Sequence, residues 1–242
     1  MVTISIVSHG HGNMVEELIN SLLQFPEISL VIVTLNIPEN IIFSPSDKLK
    51  IIKNTIPLGF GSNHNNAFKF SKGKYFCILN PDILFDNNPF PKLLKVFLDN
   101  SIALVAPSIC NSDGKIEDSA RYFLTLSTLF KRIFLRIKDC YSYNRFSPLF
   151  YPEWVGGMFM IIKSSIFFEI KGFDEGYFLY VEDVDICTRI WINGYRIALD
   201  PSVAVIHNAQ RESRKNFRFM CWHLNGLIRY FYKYIFRLPK IS

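Results

Sequence analysis

The sequence has little that would tie it to a structural-zinc, disulfide-closed or membrane-spanning architecture. Its five cysteines, Cys77, Cys110, Cys140, Cys187 and Cys221, include no CxxC pair of the kind that holds structural zinc. Their odd number does not close a disulfide set, and a reducing cytoplasm is the simplest setting. Every apolar run is interrupted by charge before it is long enough to cross a bilayer. The short run Met1–Val7 breaks at Ser8-His9-Gly10, without the basic flank or cleavage site of a secretory signal. A soluble or peripheral protein is therefore expected. There is no low-complexity tract, no internal repeat and no Walker or dinucleotide fingerprint.

What remains is the composition of a folded domain. Hydrophobic residues make up 49% of the 242 positions and charged residues 20%, so a sizeable core can form. The net charge of +6 points to a polyanionic or membrane-surface partner. Strand-like runs alternate with helical spacing. Val2–Val7, Ser29–Thr34, Lys50–Lys53, Lys74–Leu79, Ala103–Ala106 and Ile197–Ile206 read as strands. Met14–Leu23, His64–Phe70, Phe90–Leu98, Ser164–Ile170 and Val184–Asn193 read as helices, the last closed by Gly194 at C′. This order predicts an α/β fold with a mainly parallel sheet, in which ligands bind beyond the carboxyl ends of strands. Ser8, Asn36 and Asp82 follow strands in that way.

Three groups of residues carry candidate chemistry. Asn80-Pro81-Asp82 ends an apolar strand and could present a carboxylate to a divalent cation, although the tripeptide is also good turn chemistry. Gly59-Phe60-Gly61-Ser62-Asn63-His64-Asn65-Asn66 is a turn running into a helix, able to approach a nucleotide closely or simply to cap that helix. Between positions 174 and 185, Asp174, Glu175, Glu182, Asp183 and Asp185 lie among Tyr177, Phe178 and Tyr180. Apolar walls there would raise a carboxylate pKa toward useful base strength, whereas acids at a helix start also suit its dipole. Of Glu182, Asp183 and Asp185, one is expected to serve as base and the others to cap the helix or pair with Arg189. His207 ends the last strand, where it could be either a ligand or a structural residue.

Residues 211–242 form a separate basic, aromatic segment, expected to be helical and to pack on a 1–210 domain while facing a membrane. Arg211, Arg214, Lys215, Arg218, Arg229, Lys233, Arg237 and Lys240 are interleaved with Phe217, Phe219, Trp222, Tyr230 and other aromatics. That mixture suits an anionic lipid surface better than nucleic acid, and no nucleic-acid partner is expected.

Together these segments resemble the family 2 glycosyltransferases of the GT-A fold, from Ile4–Gly10 to about Tyr232. The resemblance rests on Gly59-Phe60-Gly61 with Asn65, Asn80-Pro81-Asp82, Trp154-Val155-Gly156-Gly157, Gly172-Phe173-Asp174-Glu175, Tyr180–Asp185 with Arg189, and His207, in that order and spacing. It implies a single Rossmann-like domain and an inverting transfer from a nucleotide sugar. Asp82 and His207 would hold Mg²⁺ or Mn²⁺, and Asp183 would act as general base with Glu182 in support. Ser8, Asn36, Gly59, Phe60, Gly61, Asn65, Asn80 and Asp82 would meet the donor. Trp154, Gly156, Gly157, Asp174, Glu175, Tyr180 and Arg121 would shape the acceptor and sugar pocket. Within the family the likeness is to bacterial rhamnosyltransferases of O-antigen and polysaccharide assembly. That implies a dTDP-L-rhamnose donor, an undecaprenyl-diphosphate-linked saccharide acceptor and a peripheral place on the cytoplasmic side of the inner membrane. A UDP-hexose transferase and a catalytically inactive carbohydrate-binding relative are the alternatives. Two positions depart from the family pattern: Leu35 precedes Asn36 where relatives carry Asp, and His64 stands where they often carry Asn.

Overall fold

A computed structural model describes residues 1–41, 43–135, 139–207 and 217–239. Arg136, Lys138, Arg211, Arg214, Lys215 and Lys240 of the basic segments lie outside the described residues. The first half alternates β1 (Val2–Ser8), α1 (Asn13–Leu23), β2 (Ile28–Leu35), β3 (Leu49–Lys53), α2 (Phe60–Phe68) and β4 (Tyr75–Leu79). Then follow β5 (Ile83–Leu84), α3 (Phe90–Val96), β6 (Ile102–Cys110), β7 (Ala120–Arg121) and α4 (Leu126–Phe134). The chain continues with β8 (Trp154–Val155), β9 (Phe159–Lys163), α5 (Ser164–Glu169), α6 (Glu182–Ile192), β10 (Arg196–His207) and α7 (Phe217–Tyr234).

Eight strands form one sheet in the order β3-β2-β1-β4-β9-β6-β10-β5. Its β3-β2-β1-β4 half is parallel, as is the β6–β10 pair, while β9 runs antiparallel between β4 and β6. The expected mainly parallel α/β architecture is what the chain adopts. Side chains alternate between the two faces with the strand period of two. In β4, Tyr75, Cys77 and Leu79 join α1 and α3 in one core, and Phe76 and Ile78 join the helices of the other. Helix α7 belongs to that second core through Tyr230 and Tyr234.

Two departures from the sequence reading bear on the site. The glycine-rich stretch is not a loop before α2 but its first turns, since the helix begins at Phe60 and not at His64. Gly59 caps the helix and Gly61 sits in its first turn, where glycine has low propensity, and close packing fixes glycine at both. A Cβ at Gly59 would stand 2.7 Å from the Phe178 carbonyl oxygen, and one at Gly61 would stand 2.6 Å from the Phe173 Cβ. Helix α6 likewise starts two residues early, at Glu182.

Candidate active site

The two-residue strand β5 explains how distant polar groups meet. It pairs antiparallel with the end of β10, His207 opposite Ile83, so Asp82 arrives beside His207. The Asp82 Oδ2 lies 3.2 Å from His207 Nε2, and His207 Nδ1 lies 3.0 Å from Glu117 Oε2. Burial alone would lower the His207 pKa, but the two carboxylates outweigh it and raise it. Burial alone would raise Asp82, yet the hydrogen bond and charge of His207, helped by His11, carry it below its usual value.

Among the described residues, no three His, Cys, Asp or Glu side chains are arranged to hold a metal ion. Asp82 and His207 nonetheless fit two positions of a divalent site. Neighbouring octahedral ligands at about 2.1 Å from Mg²⁺ stand roughly 3 Å apart, close to the observed Asp82–His207 spacing. The other Asp82 oxygen, Oδ1, is buried without a hydrogen-bond partner. Glu117 on Nδ1 would keep the proton there and leave Nε2 free to ligate, the usual carboxylate–histidine support of a metal site.

The second group sits where backbone strain is stored. Tyr180 and Val181 have φ of 72° and 73°, a left-handed conformation that side chains, above all β-branched ones, rarely adopt. This twist delivers Glu182 and Asp183 onto the first turn of α6. Asp183 is partly exposed, accepting hydrogen bonds from the amides of Val184 (2.8 Å) and Gly157 (3.3 Å). Burial raises its pKa and those amides temper the rise. Glu182 is buried, with Oε2 unpartnered; burial first, then the Asp183 and Asp185 charges, push its pKa up strongly. The pair therefore divides into a buried acid that keeps its proton and a pocket-facing carboxylate.

Two cavities flank this strained segment, and Tyr180 lines both. The larger, about 410 Å³, runs past Asn36, Phe60, His64, Asn80 and Asp82, with Phe178, Phe219 and Trp222 on one side. The smaller, about 260 Å³, is bounded by Arg121, Trp154, Gly156, Glu182, Asp183 and His223. Arg121 and Trp154 are opposite residues of the β7–β8 pair, and the guanidinium lies 5.4 Å from the indole centroid. Helix α7 thus supplies wall to both cavities. Phe178 and Trp222 stack at 4.4 Å over the larger one.

Most other residues singled out by sequence are placed away from the cavity walls, Asn36 and His64 excepted. Asn65 clips the Phe173 backbone, accepting from its N–H and donating to its C=O at 2.9 Å each, and donates to Glu175 at 3.0 Å. Gly59 and Gly61 serve the close packing described above. Ser8 donates to Glu39, which also accepts from the Gly10 and Gly12 amides and so fixes the β1–α1 turn. Asn36 lines the larger cavity but spends its amide on Leu58 and Asn54. Asp174 pairs with Arg229 (2.8 Å) and Lys233 (2.9 Å), clamping α7 onto the domain. Asp185 pairs with Arg189 at 2.8 Å. His64, neutral because burial drops its pKa to about 3, shares a 2.8 Å hydrogen bond with Ser5. Glu117 and Glu39 carried no site signal in the sequence, and Phe219 and Trp222 read there as part of a membrane-facing segment; only their positions in the fold bring them to the site.

Residues 3–165 match the family described as Glycosyl transferase family 2. The chain belongs to that family. Residues 139–210 also match the N-terminal domain of galactosyltransferase. Rhamnosyltransferase WbbL of Escherichia coli (strain K12) is 30% identical over 244 residues, covering 95% of this chain and 92% of WbbL. The N-acetylglucosaminyl-diphospho-decaprenol L-rhamnosyltransferase of Mycobacterium tuberculosis is 28% identical over 147 residues, 55% of this chain and 47% of its own. Among solved structures, GalNAc-T7 with UDP, GalNAc and Mn²⁺ superposes with a TM-score of 0.66 at 17% identity, covering 89% of this chain and 44% of that one. The Pyrobaculum calidifontis mannosyltransferase PcManGT, with GDP-Man and Mn²⁺, superposes at 0.62 and 17% identity, over 100% of this chain and 65% of that one. The family 2 enzyme described here has the GT-A fold of these neighbours and is a glycosyltransferase.

Proposed function

We propose that this family 2 glycosyltransferase moves L-rhamnose from dTDP-L-rhamnose, with inversion, onto a lipid-diphosphate-linked saccharide during cell-surface polysaccharide assembly. The observation that carries the reading is the adjoining of two cavities at Tyr180, one ending at Asp82, which His207 contacts, the other holding Asp183. The donor would occupy the larger cavity, with its diphosphate toward Asp82. The aromatic and aliphatic wall of Phe178, Leu179 and Trp222 suits a 6-deoxy sugar, whose methyl group needs no hydrogen bond. A divalent cation held by Asp82 and His207 would neutralise charge on the departing diphosphate.

Asp183 would take the proton of the acceptor hydroxyl as its oxygen bonds to the anomeric carbon and the carbon–diphosphate bond breaks. The Gly157 and Val184 amides keep that carboxylate aimed and temper the rise that burial gives its pKa. Glu182, retaining its proton behind it, adds no second charge to repel the incoming hydroxyl's electron pair. Trp154 and Arg121 would face the acceptor sugar, a planar ring and a cation fitting a saccharide carried on diphosphate.

The rhamnose assignment is supported by the full-length likeness to WbbL, and the lipid-diphosphate acceptor by the name of the mycobacterial relative. A peripheral position on the cytoplasmic face of the inner membrane, with α7 toward the lipid, follows from that acceptor. The match of residues 139–210 to a galactosyltransferase domain favours one second reading, a UDP-hexose donor. Purified protein with an undecaprenyl-diphosphate saccharide and a donor panel, read by mass spectrometry, separates them. Rhamnosyl product is expected; turnover of UDP-hexose but not dTDP-L-rhamnose would overturn the assignment.

A further inference from the structure

Helix α4 carries a second surface that no step above uses. Leu126, Phe130 and Phe134 recur at helical spacing, and all three are more than half exposed. The Phe130 and Phe134 rings pack on one another's flank, centroids 4.7 Å apart, along an outward stripe. Helix α7 repeats the pattern: Phe217, Met220, Leu224 and Ile228 follow one side and are exposed, while Gly226, Tyr230 and Tyr234 on the opposite side are buried. The two helices flank one opening, since Arg132 of α4 and His223 of α7 both line the smaller cavity.

Charge chooses the occupant. Neither helix contains an Asp or Glu; of their basic residues, Arg229 and Lys233 are held by Asp174, and Lys131, Arg132 and Arg218 stand outside that clamp. A symmetric contact with a second copy would set each basic patch against itself. An anionic bilayer is complementary to both the apolar stripes and the flanking cations. Among the described residues no helix is long and apolar enough to cross a membrane, so these helices would lie on it. We infer that α4 is a lipid-contacting element in its own right, which together with α7 seats the mouth of the smaller cavity on an anionic membrane surface. This rests on the lipid-linked acceptor reading and deepens it. The acceptor's diphosphate would meet Arg121 and Arg132 as it leaves the headgroup layer.

The test uses the whole chain and sucrose-loaded vesicles of phosphatidylglycerol and phosphatidylethanolamine, or of phosphatidylcholine alone, with no donor or acceptor present. Wild type is expected to co-sediment with the anionic vesicles about tenfold or more better than with the neutral ones. Phe130→Ser/Phe134→Ser should lower that partition by about tenfold. Transfer to a water-soluble short-chain acceptor should stay within about twofold of wild type, because neither ring lines either of the two cavities of the site. Lys131→Glu, an exposed substitution that leaves the packing alone, should reduce anionic selectivity and guards against misfolding of the double variant. Vesicle binding unchanged in both variants would overturn the inference. So would a wild-type dimer that ignores vesicles and is dissociated by the double variant, which would make the occupant a second copy. Absence of transfer from any donor would remove the proposed reaction without touching the sedimentation result.

Discussion

Replacing Asp183 with Asn should lower kcat by about 10²–10⁴-fold, the usual contribution of a positioned general base. The structure separates that loss from a folding defect. Asparagine is nearly isosteric and keeps one oxygen to accept the Val184 amide, now at 2.8 Å. It replaces the other with an amide nitrogen, forfeiting the 3.3 Å bond from the Gly157 N–H. A hydrogen bond of that kind contributes about 1 kcal/mol, which lowers Tm by about 2–4 °C in a chain of this size. The assay is initial transfer rate at saturating donor, alongside calorimetric donor affinity with Mn²⁺ and a thermal melt. Donor Kd should be unchanged, because Asp183 lines the smaller cavity and not the larger. Full activity in the variant would mean that the wrong base has been named. Lost donor binding together with a collapsed Tm would make the residue structural. Glu182→Gln is the contrast: a buried group that already holds its proton should accept an amide with a rate loss well below that of Asp183→Asn.

Three further outcomes follow from particular contacts. Glu117→Ala removes the group that orients His207, and should weaken Mn²⁺ affinity in the presence of nucleoside diphosphate by about 10–100-fold by calorimetry; unchanged affinity would leave His207 without a ligand role. Burial would raise the Asp174 pKa, but bonds from Arg229 and Lys233 hold it well below the usual carboxylate range. Its stabilisation is therefore present above the unfolded-state pKa of about 3.9 and lost as pH falls through the lower folded value. Asp174→Asn should then melt lower than wild type at neutral pH, with the gap closing toward about pH 2.5; a gap independent of pH would refute the assignment. Gly59→Ala drives a methyl group against the Phe178 backbone and should destabilise by about 1–3 kcal/mol in chemical denaturation; a neutral variant would show that the 173–178 segment yields freely.

Much of this architecture was legible because strand and helix periods are strong local signals. The run Val2–Val7 grew by only one residue, to Ser8, and Gly194 does close α6, with φ of 80°. The paired carboxylates also announced themselves, since acids embedded among Tyr177, Phe178 and Tyr180 are unlike a solvated charge run. The start of α2 was misplaced because glycine and asparagine disfavour helix interiors. Only contacts with Phe173 and Phe178, more than a hundred residues away in sequence, make that start favourable. The glycines read as room for a nucleotide are room for the protein's own backbone. Glu117 could not have been found by pattern. It follows an irregular turn after β6, and its value comes from the β6–β10 pairing and its own N–H bond to the Ile109 carbonyl, which together set it beside His207. The aromatics of α7 read as membrane-facing, yet Phe219 and Trp222 turn inward to the larger cavity, while Phe217 and Leu224 remain outside.

The central claim is that one pocket-facing carboxylate drives a single displacement on a rhamnosyl donor. The most direct measurement is the anomeric configuration of the product formed by purified enzyme from dTDP-L-rhamnose and a lipid-diphosphate saccharide, read from the one-bond C–H coupling at the new linkage by NMR. The account predicts a rhamnosyl product whose anomeric configuration is opposite to that of the donor. A product of retained configuration would contradict it.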